Sequence, residues 1–476
     1  MADTTVTSDL MFRPALELAA LVRTGEISAR ELVETSLTRI DALNPELNAF
    51  VDVWHDEALA AAAAVHRGDE RPFAGVPVAI KNNRAVAGHR LTCGADFMGD
   101  WPAPNDHNTV RRLRAAGFIL VGSTTLPEWG ILPWTNSKRF GPTRNPWDPA
   151  RTSGGSSGGS ATAVAAGMVP VAQANDGGGS TRIPAACCGL VGLKPQRNRI
   201  SLAPEIGQSF LVVDGVLTRT VADTAAALDA LSGPEVGDAA WAPPPPEPFA
   251  VGARREPEAL RVAVTTLPPI DVEVDPAPAQ AARDAAALLE SLGHHVEETD
   301  PPWRHRTDEL FPAVFAPLVM LQVARARLIS GREPTPEDME PLSWALWELV
   351  RDTSALDTHL AAAQLEIFAR GLLGWMDAYD VIVTPTLAEA PVLLEDVHWQ
   401  TDDPMSLFTR SAAFTPFTAT ANITGQPAVS VPVYEHDGLP VGVQLFGRPA
   451  QEGALLAVAA QLEAALPWAH RRAPVG

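Results

Sequence analysis

Two short glycine-rich stretches carry serine hydroxyls in settings that suit attack on a carbonyl group. Ser153–Ser160 reads SGGSSGGS, and Gly177–Ser180 is a triple glycine that ends in serine. Glycine has no Cβ, so the backbone can turn sharply there and its N–H groups can approach a ligand oxygen closely. The second stretch therefore provides candidate donors for an oxyanion hole, with a candidate nucleophile, Ser180, at its end. The chemistry that this pattern predicts is acyl transfer.

A lysine at the end of an apolar segment is the candidate base. Only three of the 36 basic residues are lysines: Lys81, Lys138 and Lys194. Arginine cannot lose its proton, whereas a desolvated lysine can, so a lysine kept in apolar surroundings indicates a task that arginine cannot perform. Lys81 directly follows the apolar segment Gly75–Ile80. From the residues alone, a catalytic base and a strand-end lysine that reaches solvent stay equally open.

The elements that must position these residues alternate between strand and helix. We predict strands at 76–80, 118–121, 261–265, 379–383, 428–433 and 441–445, and helices at 15–22, 28–43, 56–67, 108–116, 221–231 and 277–292. Ser28 and Glu31 have the spacing of a capping box, and Asp437–Gly438 has the composition of a hairpin turn. This alternation predicts an α/β fold, a single large domain with a mixed, mostly parallel central sheet flanked by helices.

The bulk composition argues against several classes of function. The 476-residue chain has a formal net charge of −21, which disfavours binding to nucleic-acid phosphates. No apolar run approaches the roughly 20 residues of a membrane span, and residues 1–7 show no secretory signal, so we expect no membrane association. The three cysteines make a disulfide framework improbable, which fits a reducing cytoplasm. No histidine or carboxylate cluster has metal-ligand spacing, so we expect neither a metal nor another cofactor.

Other interpretations of the first glycine stretch are weakened by its context. Gly154–Ser160 has the outer spacing of a P-loop but lacks the lysine that must reach the phosphates. Gly154–Gly158 fits the G-x-S-x-G pattern, but the residues before it are turn-like, whereas a nucleophile elbow needs a preceding strand. A flexible linker is disfavoured because the stretch runs directly into a helix-compatible segment of alanine and valine.

Taken together, these motifs resemble the amidase signature family. The core of the match comprises Gly154–Ser160, Asp176–Ala185 and Cys188–Pro195, and the 24-residue spacing from Ser156 to Ser180 also agrees with the family pattern. Further matching segments cover nearly the whole chain: Val76–Lys81, Phe140–Trp147, Thr218–Asp223, Val383–Thr386, Asn422–Ala428 and Gly438–Leu445. The resemblance implies one amidase domain, 1–476, with a signature core at about 76–232 and a variable, largely helical, pocket-forming region at about 300–410.

The resemblance also implies a Ser–cis-Ser–Lys triad. In this sequence Ser180 would be the nucleophile, Ser156 the bridging serine and Lys81 the base, with Ser156 held by a cis peptide to Gly155. The oxyanion hole would be formed by the backbone N–H groups of four consecutive residues: Gly177, Gly178, Gly179 and Ser180. The remaining serines of the first stretch are expected to bond to the loop backbone: Ser153, Ser157 and Ser160.

The reaction that the resemblance implies is hydrolysis of a small apolar or aryl amide through an acyl-enzyme on Ser180. Hydrolysis of carbamates (urethanes) or esters is the nearest alternative. An amidase subunit of a tRNA amidotransferase and an esterase of the α/β-hydrolase type are weaker ones, and a non-enzymatic binding protein would have no use for Lys81. The small-molecule substrate is the one expected partner, and whether the chain forms a homodimer stays open.

Two observations bear on the pocket and on the base. The loop 126–134 lines the acyl pocket in relatives, so substrate contacts are expected from Trp129, Gly130, Ile131 and Trp134, with ordinary packing as an equal alternative. The chain also departs from the commoner family pattern twice: Asn82 stands where an aspartate often follows the lysine, and Asn175 stands where threonine or serine often precedes Asp176. An uncharged Asn82 removes a negative charge that would otherwise hold Lys81 protonated.

Overall fold

An eleven-stranded sheet forms the centre of the molecule, for which a computed structural model describes residues 10–304 and 307–476. In chain order its strands are β1 Phe50–Val53, β2 Pro77–Lys81, β3 Ile119–Thr124, β4 Val171–Asp176, β5 Val191–Lys194, β6 Val213–Thr218, β7 Arg261–Val264, β8 His295–Glu298, β9 Val381–Pro385, β10 Ala428–His436 and β11 Leu439–Gly447. Two small two-stranded pairs lie outside this sheet: Asn136–Ser137 with Gly141–Pro142, and Arg144–Asn145 with Asp148–Thr152. The segment 1–7, for which we expect no secretory signal, lies outside the described residues.

The strand order along the sheet is β1-β3-β2-β4-β6-β5-β10-β11-β9-β7-β8. Two parallel blocks, β3-β2-β4 and β9-β7-β8, are joined by an antiparallel centre. The predicted large α/β domain with a mixed sheet is confirmed. Six of the ten neighbouring pairs are nevertheless antiparallel: β6 and β11 each run against both of their neighbours, which gives four pairs, and β1–β3 and β5–β10 are the other two.

Helices connect the strands and pack on the sheet. Those described are α1 Ala15–Thr24, α2 Ala29–Leu47, α3 His55–Ala63, α4 Asn108–Ala115, α5 Gly158–Ala165, α6 Arg182–Cys188, α7 Val221–Leu231, α8 Phe249–Gly252, α9 Pro276–Ser291, α10 Thr307–Ser330, α11 Pro341–Asp352, α12 Ala355–Met376, α13 Pro404–Phe414, α14 Ala419–Thr424 and α15 Glu452–Ala465. Helix α6 packs against β5, β10 and β11, and α9 packs against β9 and β11. Most buried apolar side chains belong to one contiguous core.

The predicted local signals are present where the sequence placed them. The side chain of Ser28 accepts a hydrogen bond from the backbone of Glu31, and the carboxylate of Glu31 accepts one from the backbone of Ser28, so the capping box at the start of α2 is confirmed. Residue Asp437 lies in the turn of the β10–β11 hairpin with a φ of 50°, and Gly438 follows with a φ of 76°. The described part of the region 300–410 is mostly helical and contains α10, α11, α12 and the first residues of α13, together with strand β9.

The sheet places the candidate base beside the second glycine stretch. Strand β2 is buried along its whole length and lies parallel to β3 and β4 on its two sides, which explains its nearly continuous apolar sequence. Parallel neighbours end at the same edge of a sheet, so Lys81 at the end of β2 lies next to Asn175 near the end of β4. The triple glycine follows β4 immediately, which brings Ser180 to the same edge.

Helix α10 and the three cysteines bear on the expectations about membrane association and disulfides. Within the described ranges, one helix, Asp308–Ser330, is long and apolar enough to cross a membrane by length and composition, a test that core helices of soluble proteins also pass. A membrane-free, cytoplasmic location therefore stays a prediction. The thiols of Cys93, Cys187 and Cys188 are all buried and unbridged, and burial raises the pKa of each, which makes them poor nucleophiles.

Candidate active site

The amine of Lys81 lies at the centre of a buried cluster of hydrogen-bonding groups. Its Nζ is 2.7 Å from Oγ of Ser156, 3.0 Å from Oγ of Ser157 and 2.8 Å from Oδ1 of Asn175. The Lys81 side chain has no exposed surface. Its backbone N–H donates to the side chain of Gln173, which holds the end of β2 in place. The strand-end lysine that reaches solvent is thus the wrong alternative for this position.

Burial sets the protonation state of this lysine. Desolvation lowers the pKa of Lys81 well below its usual range, and the nearby Arg84 guanidinium lowers it further. The carboxylates of Asp214 and Asp176 act in the opposite direction but less strongly. Among the described residues, an ammonium in this position would lie against neutral oxygens with no carboxylate in hydrogen-bond contact, so burial favours the neutral amine over the ammonium. A neutral amine can act as a general base.

Ser156 lies in the loop that precedes α5, and the peptide that joins it to Gly155 is cis. Its side chain is 2% exposed, so its hydroxyl is shielded from bulk water. A Cβ at Gly155 would come within 2.6 Å of the Leu132 carbonyl oxygen, which leaves no room for a larger residue. The first glycine stretch therefore serves to bring the Ser156 hydroxyl against the lysine amine.

Ser157 has a part that the sequence interpretation missed. We expected it only to bond to the loop backbone; its hydroxyl does donate to the carbonyl of Asn175 at 3.3 Å, but its oxygen also contacts the Lys81 amine. The other two serines follow the expectation: Ser153 donates to the Thr143 carbonyl and Ser160 to the Gln173 carbonyl. The sequence offered one signal for this contact: Ser157 directly follows the bridging serine and directly precedes a helix.

The triple-glycine loop is anchored by a buried ion pair. Oδ1 of Asp176 accepts from the backbone N–H of Gly179 at 2.8 Å, and both carboxylate oxygens accept from the guanidinium of Arg182 at 2.9 Å. Arg182 is fully buried and also donates to the Thr418 carbonyl and to the side chains of Asn422 and Gln444. With this set all five N–H groups of the guanidinium are satisfied, which is what makes a buried charge tolerable.

This anchoring corrects the expected oxyanion hole. The hydroxyl of Thr418 donates to the Gly178 carbonyl at 2.6 Å, while the next N–H, that of Gly179, donates to Asp176. The peptide between Gly178 and Gly179 is thus held at both ends, and its N–H points away from any substrate. No partner is found within residues 10–304 and 307–476 for the N–H groups of Gly177, Gly178 and Ser180, which leaves these three as the candidate donors.

Ser180 lies between two cavities. One, of about 400 Å³, is mostly apolar and is lined by Ser180, Ile131, Ile183, Phe311, Phe315 and Phe408 among others. The other, of about 100 Å³, is lined by both Ser156 and Ser180 and by polar and charged residues, including Asn83, Asn175, Gln322, Arg84, Glu205 and Arg325. A carbonyl group at Ser180 would therefore have space on both sides, one for an apolar substituent and one for a more polar one.

The residues expected to contact substrate divide between these cavities and the core. Ile131 lines the apolar cavity, and Trp129 and Gly130 line the polar one, where a Cβ at Gly130 would lie 3.2 Å from Oγ of Ser156. Trp134 lines neither of them: it is fully buried in the hydrophobic core, so the structure gives it a packing role. The aromatic wall of the apolar cavity comes instead from α10 and α13, in the region 300–410 that the family resemblance implied to be helical and pocket-forming.

Metal-ligating residues are not gathered in the described parts of the chain. No group of three or more histidines, cysteines, aspartates or glutamates there is arranged to hold a metal ion. The buried carboxylates nearest the site are already bound: Asp176 to Arg182, and Asp214 to Arg84 at 2.5 Å.

Comparison with known proteins gives one consistent result. A model of the Amidase family matches residues 31–456. The 6-aminohexanoate-cyclic-dimer hydrolase of Paenarthrobacter ureafaciens is 39% identical over an alignment of 485 positions, which covers 97% of this chain and 96% of that protein. A solved structure of 6-aminohexanoate cyclic dimer hydrolase superposes with a TM-score of 0.92 at 36% identity, covering 98% of this chain and 99% of that one. A bacterial aryl acylamidase of the amidase signature family superposes with a TM-score of 0.84 at 27% identity, covering 96% and 97% of the two chains. With its sequence motifs, its fold and its relatives in agreement, the chain belongs to the amidase signature family and is a hydrolase of amide C–N bonds.

Proposed function

We propose that this enzyme hydrolyses small, uncharged amides with an apolar or aryl substituent, through an acyl-enzyme on Ser180. The observation that carries the proposal is the 2.7 Å contact between Nζ of Lys81 and Oγ of Ser156, in a buried site whose cavity is also lined by Ser180. A neutral lysine, a bridging serine and a partly exposed serine at the end of a glycine loop are the components that acyl transfer requires.

The proposed reaction begins with two proton transfers. Neutral Lys81 takes the proton of the Ser156 hydroxyl while Ser156 takes the proton of Ser180, and Oγ of Ser180 forms a bond to the substrate carbonyl carbon. The tetrahedral intermediate collapses as the C–N bond breaks, and the proton held by Lys81 returns through Ser156 to the leaving nitrogen. Water then repeats the sequence on the ester, releases the carboxylic acid and restores Ser180.

Charge that develops on the carbonyl oxygen needs donors already in place. The N–H groups of Gly177, Gly178 and Ser180 are the candidates, because that of Gly179 is bound to Asp176. Loss of one oxyanion donor typically costs about 10²–10³ in rate, so a loop held rigidly by Arg182 and Thr418 suits this role. These donors bind the developing oxyanion more strongly than the ground-state carbonyl oxygen, which carries less charge, and this difference lowers the barrier.

The larger cavity supports the substrate class. Its wall contains three phenylalanines, Phe311, Phe315 and Phe408, and none of its lining residues is lysine or arginine. Such a wall binds by buried apolar area, at about 25 cal/mol per Å², and offers no partner to an anionic substituent. The names of two similar proteins, a 6-aminohexanoate-cyclic-dimer hydrolase and an aryl acylamidase, describe uncharged amides with methylene or aromatic bulk and agree with this class.

A substrate panel on the purified enzyme tests this proposal. It contains acetamide, glutamine, an anilide, the cyclic dimer of 6-aminohexanoate, an aryl carbamate and a p-nitrophenyl ester. We expect kcat/KM to rise with apolar bulk, from acetamide to the anilide or the cyclic dimer. Faster turnover of acetamide or free glutamine would contradict the substrate class, and a preference for the carbamate or the ester over every amide would replace it with one of those.

A further inference from the structure

We propose that Asn175 is a positioning residue for the base. Asn175 and Ser157 accept hydrogen bonds from the two N–H groups of neutral Lys81, and this directs the lone pair of the nitrogen at Ser156. The proposal rests on the proposed function, since it presumes that Lys81 takes a proton from Ser156. It concerns a position where this chain departs from the commoner family pattern, so the chain's own geometry has to account for it.

The hydrogen-bond count around the amine carries the argument. A neutral primary amine has two N–H donors and one lone pair, whereas an ammonium has three donors. Three groups surround Nζ, at 2.7 Å (Ser156), 3.0 Å (Ser157) and 2.8 Å (Asn175). The neutral amine is matched if two of these groups accept and the third donates.

The neighbours of each group decide which of them accept. The amide nitrogen of Asn175 donates to Oδ1 of Asn83 at 2.8 Å, which turns Oδ1 of Asn175 toward Lys81 as an acceptor. The hydroxyl hydrogen of Ser157 is directed at the Asn175 carbonyl, so its oxygen is free to accept as well. Ser156 is the remaining group, and its O–H is left to donate to the lone pair. This is the arrangement from which a proton can pass to the lysine.

The same contact makes the charge at position 175 decisive. Among the described residues, the charged groups that act on Lys81 are Arg84, Asp214 and Asp176, with the buried thiol of Cys93 as a further titratable neighbour, and none of these is a hydrogen-bond partner of Nζ. The side chain of Asn175 places an uncharged amide oxygen 2.8 Å from Nζ of Lys81. An aspartate there would place a carboxylate at that distance, and an opposite charge within about 4–6 Å raises the pKa of a lysine, typically by about 1–3 units.

The test is the pH dependence of kcat/KM for Asn175→Asp and Asn175→Ala beside the wild type and Lys81→Ala. The wild-type rate should fall on the acidic side as Lys81 gains a proton. Asn175→Asp should move this acidic limb upward by about one pH unit or more, with activity recovering above it. Asn175→Ala removes an acceptor that favours the ammonium, so its limb should move downward while kcat falls at least about tenfold and KM changes little.

A further variant separates positioning from folding. Asn175→Ser keeps a small hydroxyl acceptor and should recover part of the kcat lost in Asn175→Ala, with thermal unfolding of all variants measured in parallel. Acidic limbs at the wild-type pH in both Asn175→Asp and Asn175→Ala would overturn the inference, and so would equal losses at every pH. Failure of the proposed function gives a different result, because Lys81→Ala would then keep its activity.

Discussion

Lys81 and Arg182 are two buried basic residues whose surroundings favour opposite protonation states. Arg182 is paired with Asp176 and satisfied at all of its N–H groups, so its charge is stable in the core. Lys81 has three neutral oxygens around it and no carboxylate in contact, so burial drives it toward the neutral amine. The use of lysine at position 81 in a chain that otherwise prefers arginine follows from this difference, since only lysine can give up its proton.

Replacement of Lys81 tests this view of the residue. Lys81→Ala should lose roughly 10²–10⁴ in kcat/KM, the usual contribution of a general base. Lys81→Arg should not restore activity, because arginine keeps its proton. In the wild type, activity should fall as the pH drops below the lowered pKa of Lys81. The measurement is a pH–rate profile, with Lys138→Arg, a change at a partly exposed lysine, as the matched control that should retain activity.

The element that prepares the oxyanion donors is a loop held both by residues next to it and by residues far away in the chain. The glycines follow β4, but their carbonyl and N–H groups are held by Thr418 and Asp176, and the Asp176–Arg182 pair is held by Asn422 and Gln444. Gly179 has a φ of +133°, and a Cβ there would lie 2.3 Å from the Thr418 hydroxyl oxygen. The loop geometry is therefore set jointly by residues beside the loop and by residues in the C-terminal part of the chain.

Thr418 provides the prediction at this scale. Thr418→Val removes the hydrogen bond to the Gly178 carbonyl at nearly constant volume, whereas Thr418→Ser keeps the hydroxyl. We expect Thr418→Val to lose about tenfold in kcat, which corresponds to about 1.4 kcal/mol, with KM within a factor of a few. Affinity for a trifluoromethyl ketone or boronic acid should fall in parallel with kcat. A serine variant as impaired as the valine variant would contradict the role of the hydroxyl.

At the scale of the whole molecule, the loop 126–134 contacts the start of α11 through two buried carboxyl groups, those of Glu128 and Glu340. Oε2 of Glu128 accepts the backbone N–H of Glu340 at 2.9 Å, and Oε1 of Glu340 accepts that of Lys138 at 2.8 Å. Each glutamate is 3% exposed. Burial raises the pKa of Glu128 to about 7, and burial together with Glu128 raises that of Glu340. Asp96 adds to both shifts, and Lys138 opposes them.

The sign of these shifts predicts how stability depends on pH. A carboxyl with a raised pKa in the folded state stabilises the fold below its unfolded pKa, and this contribution is lost as the pH rises through its folded pKa, here about 7 for Glu128. Glu128→Gln should therefore lose less stability than the wild type as the pH rises from the ordinary glutamate value of 4.5 to about 7, and the two should run in parallel above that range. Each pKa unit corresponds to about 1.4 kcal/mol, which denaturant titration resolves. The exposed Glu348→Gln on α11 should behave as the wild type.

Much of this architecture follows from local sequence patterns, and the part that does not depends on long-range contacts. The apolar run of β2, the capping box at Ser28 and the turn at Asp437 each predict their own element. Apart from the β10–β11 hairpin, the antiparallel centre of the sheet has no such local signature, because β6 pairs with β4 and β5, β10 with β5, and β11 with β9, all across long stretches of chain. Nor could the sequence show that the Gly179 N–H is taken by Asp176, since its orientation depends on Thr418 and Arg182.

Acylation of Ser180 is the step on which the proposed mechanism depends most. A fluorophosphonate probe, followed by peptide mass mapping of the inactivated enzyme, identifies the labelled serine directly. We predict one adduct per chain, on Ser180, formed in the wild type and largely lost in Lys81→Ala. Labelling of Ser156 in place of Ser180, or inactivation of the enzyme without an adduct on Ser180, would contradict the proposed mechanism.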